Sequence, residues 1–252
     1  MKLVRYEYLG QEGYGVYKEE NIYPIEGEVF GKFEVTSKAL KREEVILLNP
    51  VNPGKIIAIG LNYADHAGEF DFKLPEEPLI FMVSNTSVIG PEDKITITSP
   101  GRRVDFEGEL VVIIGRECFG VKEEEALDYV LGYTCGNDVS DRYIQKKDGQ
   151  WTRAKSYPTY KPMGPWIETE LNPDNLSIET LVNGEVKQSS NTKHMIFSVA
   201  QLVSFVSQFM PLYPGDAIYT GTPEGVGRLD HGDWVEVKIE GIGTLKNQVE
   251  RP

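Results

Sequence analysis

Between residues 104 and 115 the chain reads VDFEGELVVIIG, placing acids at Asp105, Glu107 and Glu109 directly before a run of aliphatic residues. In a strand, residues two apart share a face, so three carboxylates here crowd one side. Like charges at that spacing repel unless water screens them or a cation neutralises them. Glu107 and Glu109 offer oxygen ligands to a hard divalent ion, and Asp138 in GNDVS, just past the expected strand end in GYTCGN, offers a third. Three carboxylates with open positions for water or substrate oxygens suit Mg²⁺ or Mn²⁺. The alternative is a half-exposed strand face whose acids are simply solvated. The aliphatic run Leu110 to Ile114 favours a strand that enters the core. With only three histidines, His66, His194 and His231, and no pair four apart, a zinc site is not expected.

Other residues could serve such a site. His66 and Glu69 in DHAGEF are three apart, and on a helix they share a side. Glu69 would then orient the imidazole and His66 would take a proton from water or substrate; Gly68 argues instead for a surface loop. Lys155 in RAKSYPTY is either an electrophile or carboxylate clamp, or a solvated charge. Arg142 and Gln145 in DRYIQ could bind a carboxylate, the arginine through its two-pronged donor geometry. TGTPEGVG (220–227) has the glycine content of an anion-cradling loop, or of a tight turn; it is neither a P-loop nor a dinucleotide fingerprint. There is no GxSxG, and Cys118 and Cys135 sit in no catalytic or CxxC context.

The elements that must hold these residues are mostly strands. Residues 2–26 alternate around turns and read as a hairpin, and NPVNPGK (49–55) reads as a linker. This divides the chain into a small N-terminal β unit (1–50) and a larger domain (54–252). KIIAIG, PLIFMV and DKITITSP predict strands, as do DAIYTGT, DWVEVKIEG and IGTLKNQV near the end. Helices are expected in KEEEALDYV (122–130) and SVAQLVSFVSQFM (198–210). Many strands, few helices and 25 glycines indicate an α+β, mostly β fold of sandwich or roll type. A formal net charge of -13 disfavours a nucleic-acid surface. No apolar run approaches the roughly 18 residues of a membrane span, no signal peptide opens the chain, and two cysteines suit a reducing compartment. A cytoplasmic protein with no membrane partner is the expectation.

Seven segments bring these signals into one order: KIIAIGLNYADHAGE, VDFEGELVVIIG, GYTCGNDVSDRYIQ, AKSYPTYKPMGPWI, VNGEVKQSSNTKHMIFSVAQLVSF, PGDAIYTGTPEGVG and GDWVEVKIEGIGTLKN. In them the chain resembles the fumarylacetoacetate hydrolase family from about residue 54 to 250, and its N-terminal hairpin is similar to the small β unit of the family's shorter members. The resemblance implies a mixed β-roll, a homodimer, a divalent cation (Mg²⁺, or Mn²⁺ or Ca²⁺) and a small 2-oxo acid substrate. It implies Glu107, Glu109 and Asp138 as metal ligands, with Asp105 supporting them. It implies His66 and Glu69 as an acid–base pair, Lys155 as a catalytic residue, and Arg142, Gln145 and Thr222 as substrate contacts. Three positions depart from the family pattern. Val83 stands where many relatives carry a lysine, SDRY (140–143) replaces SARD so that Asp141 and Tyr143 enter the metal loop, and His194 stands where an acid is more usual.

The implied chemistry is a 2-oxo carboxylate chelating the ion, which stabilises an enolate as it develops. With a positioned water the result is hydrolysis of an acylpyruvate-type C–C bond. Without one it is decarboxylation of oxaloacetate, or isomerisation of a 2-hydroxymuconate-type diacid. A non-catalytic module that binds dicarboxylates through the metal is the remaining alternative.

Overall fold

The computed structural model describes residues 1–64, 75–99 and 101–251. Runs of β-branched and aromatic residues become strands, and the described residues form sheets of thirteen, five and three strands. The path of the large sheet passes from the N-terminal strands Asn21–Gly27, Gln11–Lys18 and Lys2–Tyr8 to Lys161–Glu168 and Val130–Asn137. It continues through Gly108–Ile114, Ala217–Tyr219 and Ile56–Gly60 to Leu79–Val83. Segment 1–50 therefore extends the same sheet. Leu3 lies opposite Ile167, and the amino group of Met1 reaches Glu168 Oε1 at 2.6 Å.

Side-chain alternation explains the aliphatic run. Leu110, Val112 and Ile114 pack with Ile178, Val237 and Ile239 of the five-stranded sheet and with Leu202 and Val206 of the helix Val199–Ser207. Val111 and Ile113 point to the other face and join Ile56, Ala58, Met163 and Tyr219. A strand covered on both faces needs an unbroken apolar sequence. The Val199–Ser207 helix starts at a capping box: Gln201 N–H donates to Ser198 Oγ at 3.2 Å, and Ser198 N–H donates to Gln201 Oε1 at 2.9 Å.

Two helices differ from expectation. Glu123–Tyr129 forms a 3₁₀ segment rather than an α-helix and buries only Ala126, too narrow a stripe to dock an α-helical face. The polar stretch Arg142–Asp148 is an α-helix, N-capped by Asp141, whose Oδ1 accepts from Ile144 N–H at 3.1 Å. Gly149 in the left-handed region, at φ 68, ends it. Among the described residues no helix is long and apolar enough to cross a membrane.

Candidate metal centre and adjoining cavity

The acidic motif is broken in the middle. Val104–Phe106 belongs to the three-stranded sheet and Gly108–Ile114 to the large one, so Glu107 sits at the joint between sheets. Gly108 permits the joint, because a Cβ there would stand 2.0 Å from Thr180 Oγ1. Asp138 follows the strand Val130–Asn137, which pairs antiparallel with Gly108–Ile114 and sets Asn137 opposite Gly108. That register brings the two acids together: Asp138 N–H donates to the Glu107 carbonyl at 2.8 Å, and Glu107 N–H donates to Asn137 Oδ1 at 2.9 Å. Glu107, Glu109 and Asp138 each direct a carboxylate oxygen into one cluster in which these atoms lie within 4.8 Å of one another, and all three residues are buried.

Asp105 takes another role. Strand alternation predicts it beside Glu107, but it accepts from Arg103 Nε at 2.8 Å and from Arg142 Nε at 2.8 Å. Arg142 spans the motif, since its Nη1 also reaches Glu107 Oε1 at 2.7 Å and donates to Gln145 Oε1 at 2.9 Å. Burial opposes the Arg142 charge, but Glu107 and Asp105 outweigh it and hold its pKa above the ordinary value. Asp105 thus aims Arg142, and Arg142 aims Glu107.

Two lysines complete the cluster. Lys155 Nζ donates to Glu107 Oε2 at 2.9 Å and to Asp138 Oδ2. Burial disfavours its charge, yet Asp138, Glu107 and Glu109 together push its pKa up. Lys161 was not marked by any sequence signal; it is fully buried and pairs with Asp138 Oδ1. Its pKa is pushed down, first by burial, with Asp138 opposing the shift and Lys155 adding to it. Glu109 accepts from Gly221 N–H at 2.8 Å. Its carboxyl is held well above the usual range by burial and then by the charges of Asp138 and Glu107. The loop TGTPEGVG therefore does present a backbone donor, and its acceptor is the protein's own Glu109 carboxyl. Gly221 achieves this at φ +99, where a Cβ would meet Asn62 Cβ at 2.9 Å.

The donor set fits a hard divalent ion. It offers three buried carboxylates and no soft ligand, and one of them, Glu109, touches no lysine or arginine among the described ion pairs while its two neighbours repel its charge. Beside the cluster opens a cavity of about 840 Å³, lined by Glu107, Arg142, Gln145, Lys155 and Thr222 as well as by Arg103, Lys146 and an apolar wall of Ile59, Leu61 and Trp151. Every residue expected to contact substrate and placed in the described part of the chain thus lines one space. Thr222 is also committed internally: its hydroxyl donates to Gly108 O at 2.9 Å and accepts from Gln188 Nε2 at 2.8 Å. His66 and Glu69 lie outside the described residues.

Of the three departures, Val83 is buried in the apolar layer that includes Met163 and Tyr219. Asp141 caps the helix and pairs with Arg102 at 3.3 Å, and Tyr143 is exposed with the Arg102 guanidinium over its ring. Neither belongs to the carboxylate cluster. His194 Nδ1 lies 3.4 Å from Ser190 Oγ, at the end of the Glu185–Asn191 strand.

Residues 55–250 match the family model for the fumarylacetoacetate (FAA) hydrolase C-terminal domain, and residues 1–50 match the Rv2993c-like N-terminal model. The chain belongs to the fumarylacetoacetate hydrolase family. It is 47% identical over 208 residues to 2,4-didehydro-3-deoxy-L-rhamnonate hydrolase of Sphingomonas sp., covering 78% of this chain and 73% of that protein. It is 41% identical over 222 residues to the mitochondrial oxaloacetate tautomerase Fahd2a of Rattus norvegicus, covering 83% and 71%. Among solved structures, 5-carboxymethyl-2-hydroxymuconate delta-isomerase from Mycobacterium smegmatis superposes with TM-score 0.94 at 41% identity, covering 100% of both chains. The mostly β architecture expected from the sequence is that of these neighbours.

Proposed function

We propose that the chain is a divalent-metal-dependent enzyme of 2-oxo or 2,4-dioxo acids that works through an enolate, as a C–C bond hydrolase or a decarboxylase. The observation that carries this reading is the buried Glu107–Glu109–Asp138 cluster opening onto a cation-lined cavity. Glu107, Glu109 and Asp138 would hold a divalent ion, which would supply Lewis-acid chemistry toward a 2-oxo acid. The protein's own residues do the rest. Lys155, charged and buried at the cavity wall, offsets negative charge developing on the substrate. Arg142 and Gln145 are held to each other and present a donor surface to a carboxylate, and Thr222 fixes the cavity floor through Gly108. The pair His66 and Glu69 would move the proton.

A second reading, isomerisation or tautomerisation of a diacid, draws on Arg103 and Lys146. They line the same cavity and add positive charge for a second carboxylate. The tautomerase and isomerase among the similar proteins support it. A homodimer in the cytoplasm belongs to the same proposal, and sedimentation tests the dimer.

The test is a turnover screen of acetylpyruvate, oxaloacetate and a 2-hydroxymuconate-type diacid, with Mg²⁺ and with chelator. Chelator-sensitive turnover of one substrate is expected, and ¹⁸O from water enters a product carboxylate only for hydrolysis. Glu107→Ala should cost on the order of a hundredfold or more, since even partners of metal ligands cost about 10–100-fold. Turnover that survives both chelator and Glu107→Ala overturns the reading. Saturable binding of all three substrates with no turnover would favour a non-catalytic module.

A further inference from the structure

Lys161 pairs with a carboxylate of the cluster, and the chemistry proposed above gives it no task. It is fully buried and absent from the cavity wall, so it cannot meet a substrate. An ammonium carries three donors and no acceptor, and here three oxygens surround it. Lys161 Nζ donates to Lys155 O at 2.7 Å and to Tyr160 O at 3.0 Å, and it pairs with Asp138 Oδ1. Lys155 holds the other oxygen, Oδ2, of the same carboxylate. The two lysines differ in freedom: Lys155 borders the cavity, whereas Lys161 is fixed to the carbonyl of Lys155, at the end of the helix Thr152–Lys155, and to that of Tyr160.

We propose that Lys161 is a resident cation of the carboxylate cluster, holding Asp138 in place before a divalent ion binds and weakening the cluster's grip on that ion. This rests on the metal-site reading above. The buried carboxylates of Asp138 and Glu107 need positive charge whether or not an ion is present. An ammonium at Lys161, set among three oxygens, supplies part of it, so the metal-free protein is less strained and an incoming ion meets a partly neutralised site. The ion then binds with exchangeable rather than structural affinity.

The test compares wild type with Lys161→Met, which keeps length and burial but removes the charge. Thermal unfolding is measured with chelator and with saturating Mg²⁺, and Mg²⁺ affinity is measured by calorimetry. In Lys161→Met the chelator midpoint should fall more than the Mg²⁺ midpoint, widening the gap between them, and Mg²⁺ should bind roughly tenfold tighter. An equal fall in both midpoints would mean that Lys161 only packs, and a narrower gap with weaker Mg²⁺ binding would mean that it only aims Asp138. Either result overturns the proposal while leaving the metal site standing. A wild type whose midpoint ignores Mg²⁺ and Mn²⁺ overturns the metal-site reading and this proposal with it. If Lys161→Met yields no folded protein in either condition, Lys161→Gln, which keeps two donors for the carbonyls, decides by the same gap.

Discussion

Glu109 is the carboxylate with the least compensation: its direct polar contact is the Gly221 amide, and Asp138 and Glu107 repel its charge. Its raised pKa has a definite sign in stability. An unfolded glutamate ionises near its ordinary value, so above that pH the metal-free folded protein holds the extra proton. Stability linked to Glu109 is then full at low pH and is lost as pH rises toward the folded-state value. Glu109→Gln should therefore melt higher than wild type in chelator at about pH 8, with the difference shrinking by about pH 5; a constant offset across that range would contradict it. At this scale the acids were legible, because an every-second-residue spacing against an aliphatic run has few uses. Lys161 was not, although it stands in AKSYPTYKPMGPWI. A lysine in a sequence carries no mark of whether a carboxylate thirty angstroms or three away will receive it. Nor did spacing separate Asp105 from Glu107, since one broken strand turns the former toward Arg103 and Arg142.

The element that matters most is the joint at Glu107 and Gly108, where the chain passes between sheets against the strand Ser177–Val182. Gly108→Ala places a methyl 2.0 Å from Thr180 Oγ1 and should destabilise by about 1–3 kcal/mol or more. Thr180 Oγ1 is buried without a hydrogen bond among the described residues, so Thr180→Ala removes the obstacle at little cost. The double substitution should recover much of the loss, a coupling that chemical denaturation of all four proteins measures. Additive losses would mean that the clash is not the cause. The strands were readable from β-branched content, and the helix at Val199–Ser207 from its apolar spacing. The Arg142–Asp148 helix was not, because RYIQKKD buries only Ile144 and leaves no stripe to detect; its cap, Asp141, is its strongest local signal.

At the scale of the molecule, the proline-rich stretch 49–55 suggests a boundary, yet Lys2–Tyr8 lies edge to edge with Lys161–Glu168. A chain beginning at residue 54 would leave that strand with open backbone donors and acceptors and remove Leu3 from its place opposite Ile167. It should aggregate on size-exclusion chromatography where the full chain elutes as a discrete species. A discrete, thermally cooperative truncated protein would show that the two segments fold independently. Sheet continuity of this kind is invisible to composition, since each partner reads as an ordinary strand and only their pairing joins them.

That pairing also sets a schedule. The contact between Met1 and Glu168 spans 167 positions, and translation adds about 5–20 residues per second. The opening hairpin therefore spends roughly ten to thirty seconds on the ribosome before the strand it borders has been made. Through that interval its hydrogen-bonding edge is exposed to every other nascent chain nearby. Chaperone occupancy and synthesis rate, more than final stability, would then govern how much of this protein reaches its folded state.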